Sequence, residues 1–299
     1  SIYRIRSPIH LSLLAIANMN RLQKDSKITA IINSLNLNEQ DGIFYSEVEE
    51  KISYPEDGHQ TYFEIEDHSF WFKHRNNVIS FLATYYCKNQ LFLDLGGGNG
   101  YVSKGLQDQG FSVILMEPSS EAVINAKKRG IHHIICASSQ DFMPLKGKIE
   151  TIGAFDVLEH IENDTLLLDE IYQLLKPTGY FFITVPAFQF LWSKDDIIAG
   201  HFRRYNRKLL LEKLKSSGFE IRYSSYLFSI LLVPLLFLKT LPYNISLPKK
   251  KNNPKKDHIP PNNWMARFLN IFWKWEIDRI KKKKTIPFGT SCIVIAQKP

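Results

Sequence analysis

Short apolar runs alternate with amphipathic stretches along most of this chain. Leu91, Phe92, Leu93 and Leu95 predict a buried strand that runs straight into a glycine loop, Gly96-Gly97-Gly98-Asn99-Gly100. The loop opens an amphipathic helix carrying Tyr101, Val102, Gly105 and Leu106. Downstream the alternation continues: strand Phe111–Met116, helix Glu121–Arg129, strand His132–Cys136, strand Ile149–Phe155, helix Asp164–Leu175, strand Tyr180–Val185, helix Arg207–Ser216, strand Phe219–Tyr226 and strand Thr290–Gln297. Lys176-Pro177 before Gly179 reads as a helix stop. Strands alternating with helices predict an α/β fold, a doubly wound and mostly parallel sheet of seven strands.

Flanking segments depart from that rhythm. Residues 1–61 read as an N-terminal helical or leader segment: Arg4 and Arg6 precede an apolar run, Ile28–Leu37 reads as a short helix and Gly42–Tyr54 as a polar connector. Tyr62–Arg75 is dense in aromatic and charged residues and leads into a helix through Val78, Ile79, Leu82 and Tyr85. Residues 62–226 form the expected core, 227–287 an insertion and 288–299 a final core strand. Roughly sixty residues thus separate the last two strands, against about 2–5 in a hairpin. Within them Leu227–Leu241 is apolar but interrupted by Pro234, and too short for the ~20 residues that span a bilayer. Pro242–Pro261 is rich in proline, asparagine and lysine, and Trp264–Lys284 is a basic amphipathic helix with tryptophans.

The glycine loop narrows the chemistry. Glycines let backbone N–H groups and a helix N-terminus approach a ligand closely. The dinucleotide pattern G-x-G-x-x-G fails in both registers, ending on Tyr101 or Ser103. What fits is D-x-G-x-G-x-G, with Asp94, Gly96, Gly98 and Gly100, followed by a second strand that leads to Glu117. A carboxylate at Asp94 suits an ammonium and would repel a pyrophosphate. Glu117 can accept hydrogen bonds from two ribose hydroxyls.

This combination resembles the signature of class I S-adenosylmethionine-dependent methyltransferases, which have a Rossmann-like fold. The resemblance extends over Tyr62–Tyr226 and the last strand, through DVLEHI (Asp156–Ile161) and LLKPTGYFFITVP. It implies S-adenosylmethionine as cofactor, held by Asp94, Gly96, Gly98, Gly100, Glu117 and Asp156. The adenine contact falls among Ser139, Gln140 and Asp141. It further implies that the last strand lies antiparallel beside the fifth, and that the segment before the glycine strand is a lid, with Phe70, Trp71, Phe72, His74 and Arg75 as candidates to close the site. The runs SFWF and GHFRRY resemble a bacterial group associated with glycan and lipid methylation.

Methyl transfer from a sulfonium is an in-line displacement, so the protein mainly aligns and desolvates the reactants. A base is needed only where the nucleophile must lose a proton. His160 and His201 are the candidates by position. Arg203, Arg204 and Tyr205 beside His201 can grip a phosphate or carboxylate, or alternatively bridge Asp195 and Asp196. No carboxylate or histidine spacing points to a metal site.

Charge adds a partner. The net charge is +8, yet between Lys239 and Lys284 thirteen Lys or Arg face three acids, a local surplus of +10. Such a surface seeks anionic lipid or nucleic acid. Cys87, Cys136 and Cys292 lie far apart in apolar contexts, as reduced thiols of a cytoplasmic protein do. The sequence therefore reads as a methyltransferase acting on a lipid-linked, glycan or other anionic small acceptor, peripheral on the inner membrane face. An RNA methyltransferase using the basic arm, a soluble small-molecule enzyme and a non-catalytic S-adenosylmethionine-binding module are the alternatives. The adenine-amino type is disfavoured, because Asp156-Val157-Leu158-Glu159 stands where an Asn/Asp-Pro-Pro-aromatic tetrad is expected.

Overall fold

The computed structural model describes residues 26–47, 58–88, 90–245 and 263–299. Residues 1–25, the stretch 48–57 and most of the proline- and lysine-rich segment expected at 242–261 lie outside the described residues. A nine-stranded sheet forms the centre, in the order β1-β2-β5-β4-β3-β6-β7-β9-β8. Its strands are β1 (Leu37–Gln40), β2 (Ile43–Ser46), β3 (Leu91–Leu95), β4 (Ser112–Met116), β5 (His133–Cys136), β6 (Ile149–Phe155), β7 (Leu175–Pro186), β8 (Glu220–Leu227) and β9 (Ser291–Gln297). β2 through β7 run parallel, and β9 lies antiparallel between β7 and β8. Seven of these strands answer to the sequence pattern, including the antiparallel last strand.

The other two correct it. Residues 26–33 are helical, but Leu37–Gln40 and Ile43–Ser46 form a hairpin that extends the sheet beyond β5. Asp41 and Gly42, both with positive φ (52° and 71°), make its turn. An Asp-Gly pair with two positive φ values suits the right-handed twist of a two-residue hairpin. A second correction lies at Lys176-Pro177: helix α6 (Asp164–Leu174) passes directly into β7, with a register irregularity opposite Ile149–Thr151.

Apolar side chains fill both sheet faces, as expected when parallel strands are covered by helices on two sides. One face packs Leu93, Ile114, Ile152, Phe181 and Ile183 under α6 and α8 (Arg207–Ser216). The other packs Phe92, Val113, Phe182 and Ile293 under α3 (Phe70–Cys87) and α4 (Tyr101–Asp108).

The insertion also joins that second face. Its helix Asn263–Lys281 buries Leu269, Trp273, Glu276 and Ile280, a stripe spaced as one helix face requires. Glu276 is fully buried and accepts hydrogen bonds from His74 Nε2 (2.9 Å), Phe228 N (3.0 Å), Ser229 N (2.6 Å) and Ser229 Oγ (2.6 Å). Burial pushes its carboxyl up, but the bonds from His74 and Ser229 outweigh that and hold its pKa below the ordinary value. Thus the helix is docked on the body through one stripe. Trp264, Phe268, Ile271 and Trp275 form a second stripe that faces solvent. No helix among the described residues is long and apolar enough to cross a membrane.

Candidate active site

Register brings the site residues to one edge. Leu95 pairs with Met116 on one side and with Ala154 on the other, so Gly96, Glu117 and Asp156 emerge together at the carboxyl ends of β3, β4 and β6. They line a cavity of about 650 Å³, a size that takes a small-molecule ligand.

Its floor is the glycine loop. Gly96 N donates to Met116 O (2.8 Å), and Gly98 N to Glu117 Oε2 (3.0 Å). A Cβ on Gly96 would stand 2.6 Å from Val157, and one on Gly97 2.8 Å from Leu115, whereas one on Gly98 would meet no protein atom. The loop is therefore closed to side chains from below and open toward the cavity at Gly98. Gly100, at φ 78°, starts α4, and a Cβ there would press on Ile131 and Ala126.

Two buried carboxyls face this floor. Glu117 also accepts from Ser119 N (2.9 Å), and burial raises its pKa to about 7. Asp94 accepts from Ser103 Oγ (2.6 Å), and burial raises it to about 6 against the opposing pull of Ser103 and Arg75. Acids desolvated without a full counter-charge favour ligands that bring a cation or hydroxyl donors. An ammonium at Asp94, ribose hydroxyls at Glu117 and a backbone left bare at Gly98 fit S-adenosylmethionine; when bound it supplies an activated methyl group.

The loop expected to contact adenine presents its three candidates differently. Ser138 and Ser139 line the cavity, but Asp141 is turned inward, accepting from Ser138 N (2.8 Å) and Ser46 Oγ (2.7 Å), and Gln140 is exposed. Asp141 thus braces the loop against β2, a strand that local sequence pattern did not reveal.

The segment expected to close the site is split between two environments. Trp71, Phe72 and Arg75 line the cavity with His59, Tyr62 and Glu66, residues of α2 (Gly58–Glu66) that were not singled out beforehand. Arg75 contacts Asp156 and lies over the Trp71 ring, 4.5 Å from its centroid. Phe70 and His74 instead stack on Trp273 of the insertion. Asp156, at φ 59°, also accepts from Thr184 Oγ1 (3.0 Å), so a strained backbone is held in place by side-chain bonds at the cavity wall.

The expected anion grip is corrected by the geometry. Arg204 gives Nε and Nη2 to fully buried Asp196 (2.7 and 3.0 Å) and Nη1 to Ala187 O. Arg203 is spent on Ile161 O, Glu162 O and Asp164, and Tyr205 is fully buried and donates to Asp164 (2.8 Å). All three side chains are thus engaged with Asp164 or Asp196, and of the three Arg204 alone lines the cavity.

His201 and His160 do reach the cavity, with ring centroids 4.7 Å apart. His201 Nδ1 is 2.8 Å from Asp196 Oδ1. A carboxylate only accepts, so Nδ1 carries a proton toward Asp196 and Nε2 is the nitrogen left to the cavity. The bonds from His201 and Arg204 outweigh burial and hold Asp196 at about 2. Burial, with His201 nearby, lowers His160 to about 3, so it is neutral. Glu159 beside it lines the same cavity. Burial raises its pKa to about 8.

Comparison with known proteins agrees with this geometry. The family model described as "Methyltransferase domain" matches residues 59–224. A probable S-adenosylmethionine-dependent methyltransferase of Mycolicibacterium smegmatis is 25% identical over 170 residues, which are 56% of this chain and 66% of that protein. The match spans just under two thirds of the relative's length. Among solved structures, a possible histamine N-methyltransferase from Thermotoga maritima aligns with TM-score 0.50 at 16% identity, over 81% of this chain and 95% of its own. Haemonchus contortus phosphoethanolamine N-methyltransferase 2, solved with S-adenosyl-L-methionine, aligns with TM-score 0.51 at 17% identity, over 83% of this chain and 58% of its own. These two likenesses show the fold. Since the family match spans more than half of the residues and covers the glycine loop, Glu117 and Asp156, the chain belongs to the methyltransferase-domain family.

Proposed function

We propose that the methyl acceptor is lipid-borne and that the enzyme works as a peripheral protein on an anionic membrane surface. The observation that carries this reading is an apolar rim at the cavity mouth. Lys239 pairs with Asp195, a cavity-lining residue, at 2.7 Å, and Thr240 Oγ1 donates to Leu191 O at 3.1 Å. These bonds tie the apolar start of the insertion to the segment Phe190–Ile198. Val233, Phe237, Leu238, Phe190, Ile197 and Ile198 are all exposed around that junction, Leu238 to 74%. Large apolar side chains exposed on two segments that are bonded together mark an interaction surface. The second stripe of the docked helix and the exposed lysines Lys281, Lys282 and Lys284 add an interfacial and cationic surface.

The test is co-sedimentation with phosphatidylglycerol vesicles at low salt. Binding is expected, with partial release at high salt. Phe237→Ser with Leu238→Ser should abolish it, and glutamate at 281, 282 and 284 should weaken it by about 1 kcal/mol per lysine. Lys283 is spared in that design because its ammonium sits 3.4 Å over the Tyr85 ring and bonds Tyr86. Wild-type protein that ignores the vesicles yet retains RNA under the same conditions would replace this reading with the nucleic-acid one.

A further inference from the structure

We infer that the acceptor end of the cavity is a binding site for a divalent transition-metal ion, with Glu159, His160 and His201 as its ligands. Each offers one ligand atom, and these atoms lie within 4.8 Å of one another. They come from two segments remote in sequence, the turn Leu158–His160 after β6 and the loop after α7 (Lys194–Ile198), so no local motif announces them.

The first independent sign is Glu159. Its side chain is fully buried, yet neither carboxylate oxygen accepts a hydrogen bond from another residue. Buried carboxylates are ordinarily paired or bound to a metal, because desolvation without a partner is costly. Neither guanidinium nearby hydrogen-bonds to it: Arg204 bonds Asp196 and Arg75 bonds Asp156, so their pull on Glu159 is through space alone.

The second is the way the His201 imidazole is set. Asp196 takes the Nδ1 proton of His201 and is itself fixed by Arg204 and Ser193 N (2.8 Å). That is the carboxylate–histidine arrangement which orients a metal-bound imidazole and raises its basicity.

Donor chemistry selects the ion. Two imidazoles and one carboxylate suit Zn²⁺, Co²⁺, Fe²⁺ or Mn²⁺, while Mg²⁺ and Ca²⁺ prefer all-oxygen shells. Three protein ligands leave coordination positions open, as catalytic sites do. All three residues line the cavity that also holds the cofactor loop. An ion there would polarise an oxygen of the acceptor as a Lewis acid. This inference stands apart from the membrane reading, which concerns the rim and not the interior.

The experiment uses untagged, chelator-treated full chain, titrated with Zn²⁺, Co²⁺ and Mg²⁺ by calorimetry and, for Co²⁺, by its visible d–d absorption. One Zn²⁺ or Co²⁺ per chain is expected, with Mg²⁺ at least a hundredfold weaker. Glu159→Gln and His201→Ala should each weaken Co²⁺ binding by tenfold or more and change its spectrum. Both variants are checked for fold by circular dichroism and for an intact cavity floor by S-adenosylmethionine binding. If His201→Ala fails to fold, Glu159→Gln, which keeps size and shape, decides alone. Absence of stoichiometric binding, or binding that Glu159→Gln leaves unchanged, overturns the site.

Discussion

Replacing Glu276 with alanine should cost the protein a large part of its stability. The buried carboxylate accepts four hydrogen bonds, from His74, from both backbone amides at Phe228 and Ser229 and from the Ser229 hydroxyl. Truncation leaves two buried N–H groups and one imidazole N–H without acceptors, and each such orphan costs about 1–3 kcal/mol. Removing one partner of a buried pair is worth about 3–5 kcal/mol in total. At this chain size that lowers Tm by on the order of 10 °C. Glu276→Gln keeps the volume and one accepting oxygen, but turns an amide donor toward a donor, so roughly half the loss is expected.

Differential scanning calorimetry of wild type, both variants and His74→Phe reads these values, and the double variant with His74→Phe gives the coupling between the two side chains. The sign with pH follows from the lowered Glu276 pKa. The stabilisation is fully present above the unfolded carboxyl value and is lost as pH falls through the folded one, so wild type and Glu276→Ala should converge in acid. A drop below 1 °C for Glu276→Ala at neutral pH would refute the reasoning and mean that the inserted helix is not held through this residue.

Two further outcomes concern the cofactor. Gly98→Ala places a methyl group into open cavity space at φ 52°, so thermal unfolding should show a modest left-handed-backbone penalty of about 1–2 kcal/mol and loss of the S-adenosylmethionine shift, whereas Gly96→Ala should damage the fold itself by striking Val157; an intact ligand shift in Gly98→Ala would argue against this floor. Asp94 and Glu117 are raised to about 6 and about 7, so the stability they contribute is present at low pH and lost as pH rises through those values, while the ionised forms that receive the ligand appear over the same range. Calorimetric affinity for S-adenosylmethionine should accordingly fall on the order of a hundredfold from pH 8 to pH 5.5, and a flat profile would count against both carboxyls as ligands.

What the sequence disclosed was what neighbours in the chain determine. Strand, glycine loop and helix start are consecutive, so Asp94, Gly96, Gly98 and Gly100 could be placed from spacing alone, and Glu117 followed as the residue after the next strand. The β1–β2 hairpin was hidden because its strands are four residues each and only Ile43 among them is buried; Asp41-Gly42 was the one available signal. Arg203 and Arg204 show a different limit. A guanidinium in a sequence is a charge, and whether it is free depends on an acid such as Asp164 that the fold brings to it. His74 and Glu276 stand 202 positions apart, and no periodicity connects them. Glu159 was visible within DVLEHI, but its burial without a partner is a property of packing.

The position of β9 governs the order in which this protein can be assembled during synthesis. β9 comes last in the sequence and yet pairs on both sides, with β7 from Tyr180 to Pro186 and with β8 from Glu220 to Leu227. Until it leaves the ribosome, β7 exposes an unpaired edge and β8 has no neighbour in the sheet. The cofactor half, β3 to β6, can form earlier, because the pairings of these four strands with one another are complete once β6 has been made. The inserted helix is made before β9 and must fold back as a closed loop, its return pinned where Thr290 N donates to Leu227 O at 2.9 Å and where Gly289 leaves no room for a side chain against Leu227. Nascent chains lacking Ser291–Gln297 would therefore carry a finished cofactor floor beside an open, aggregation-prone sheet edge.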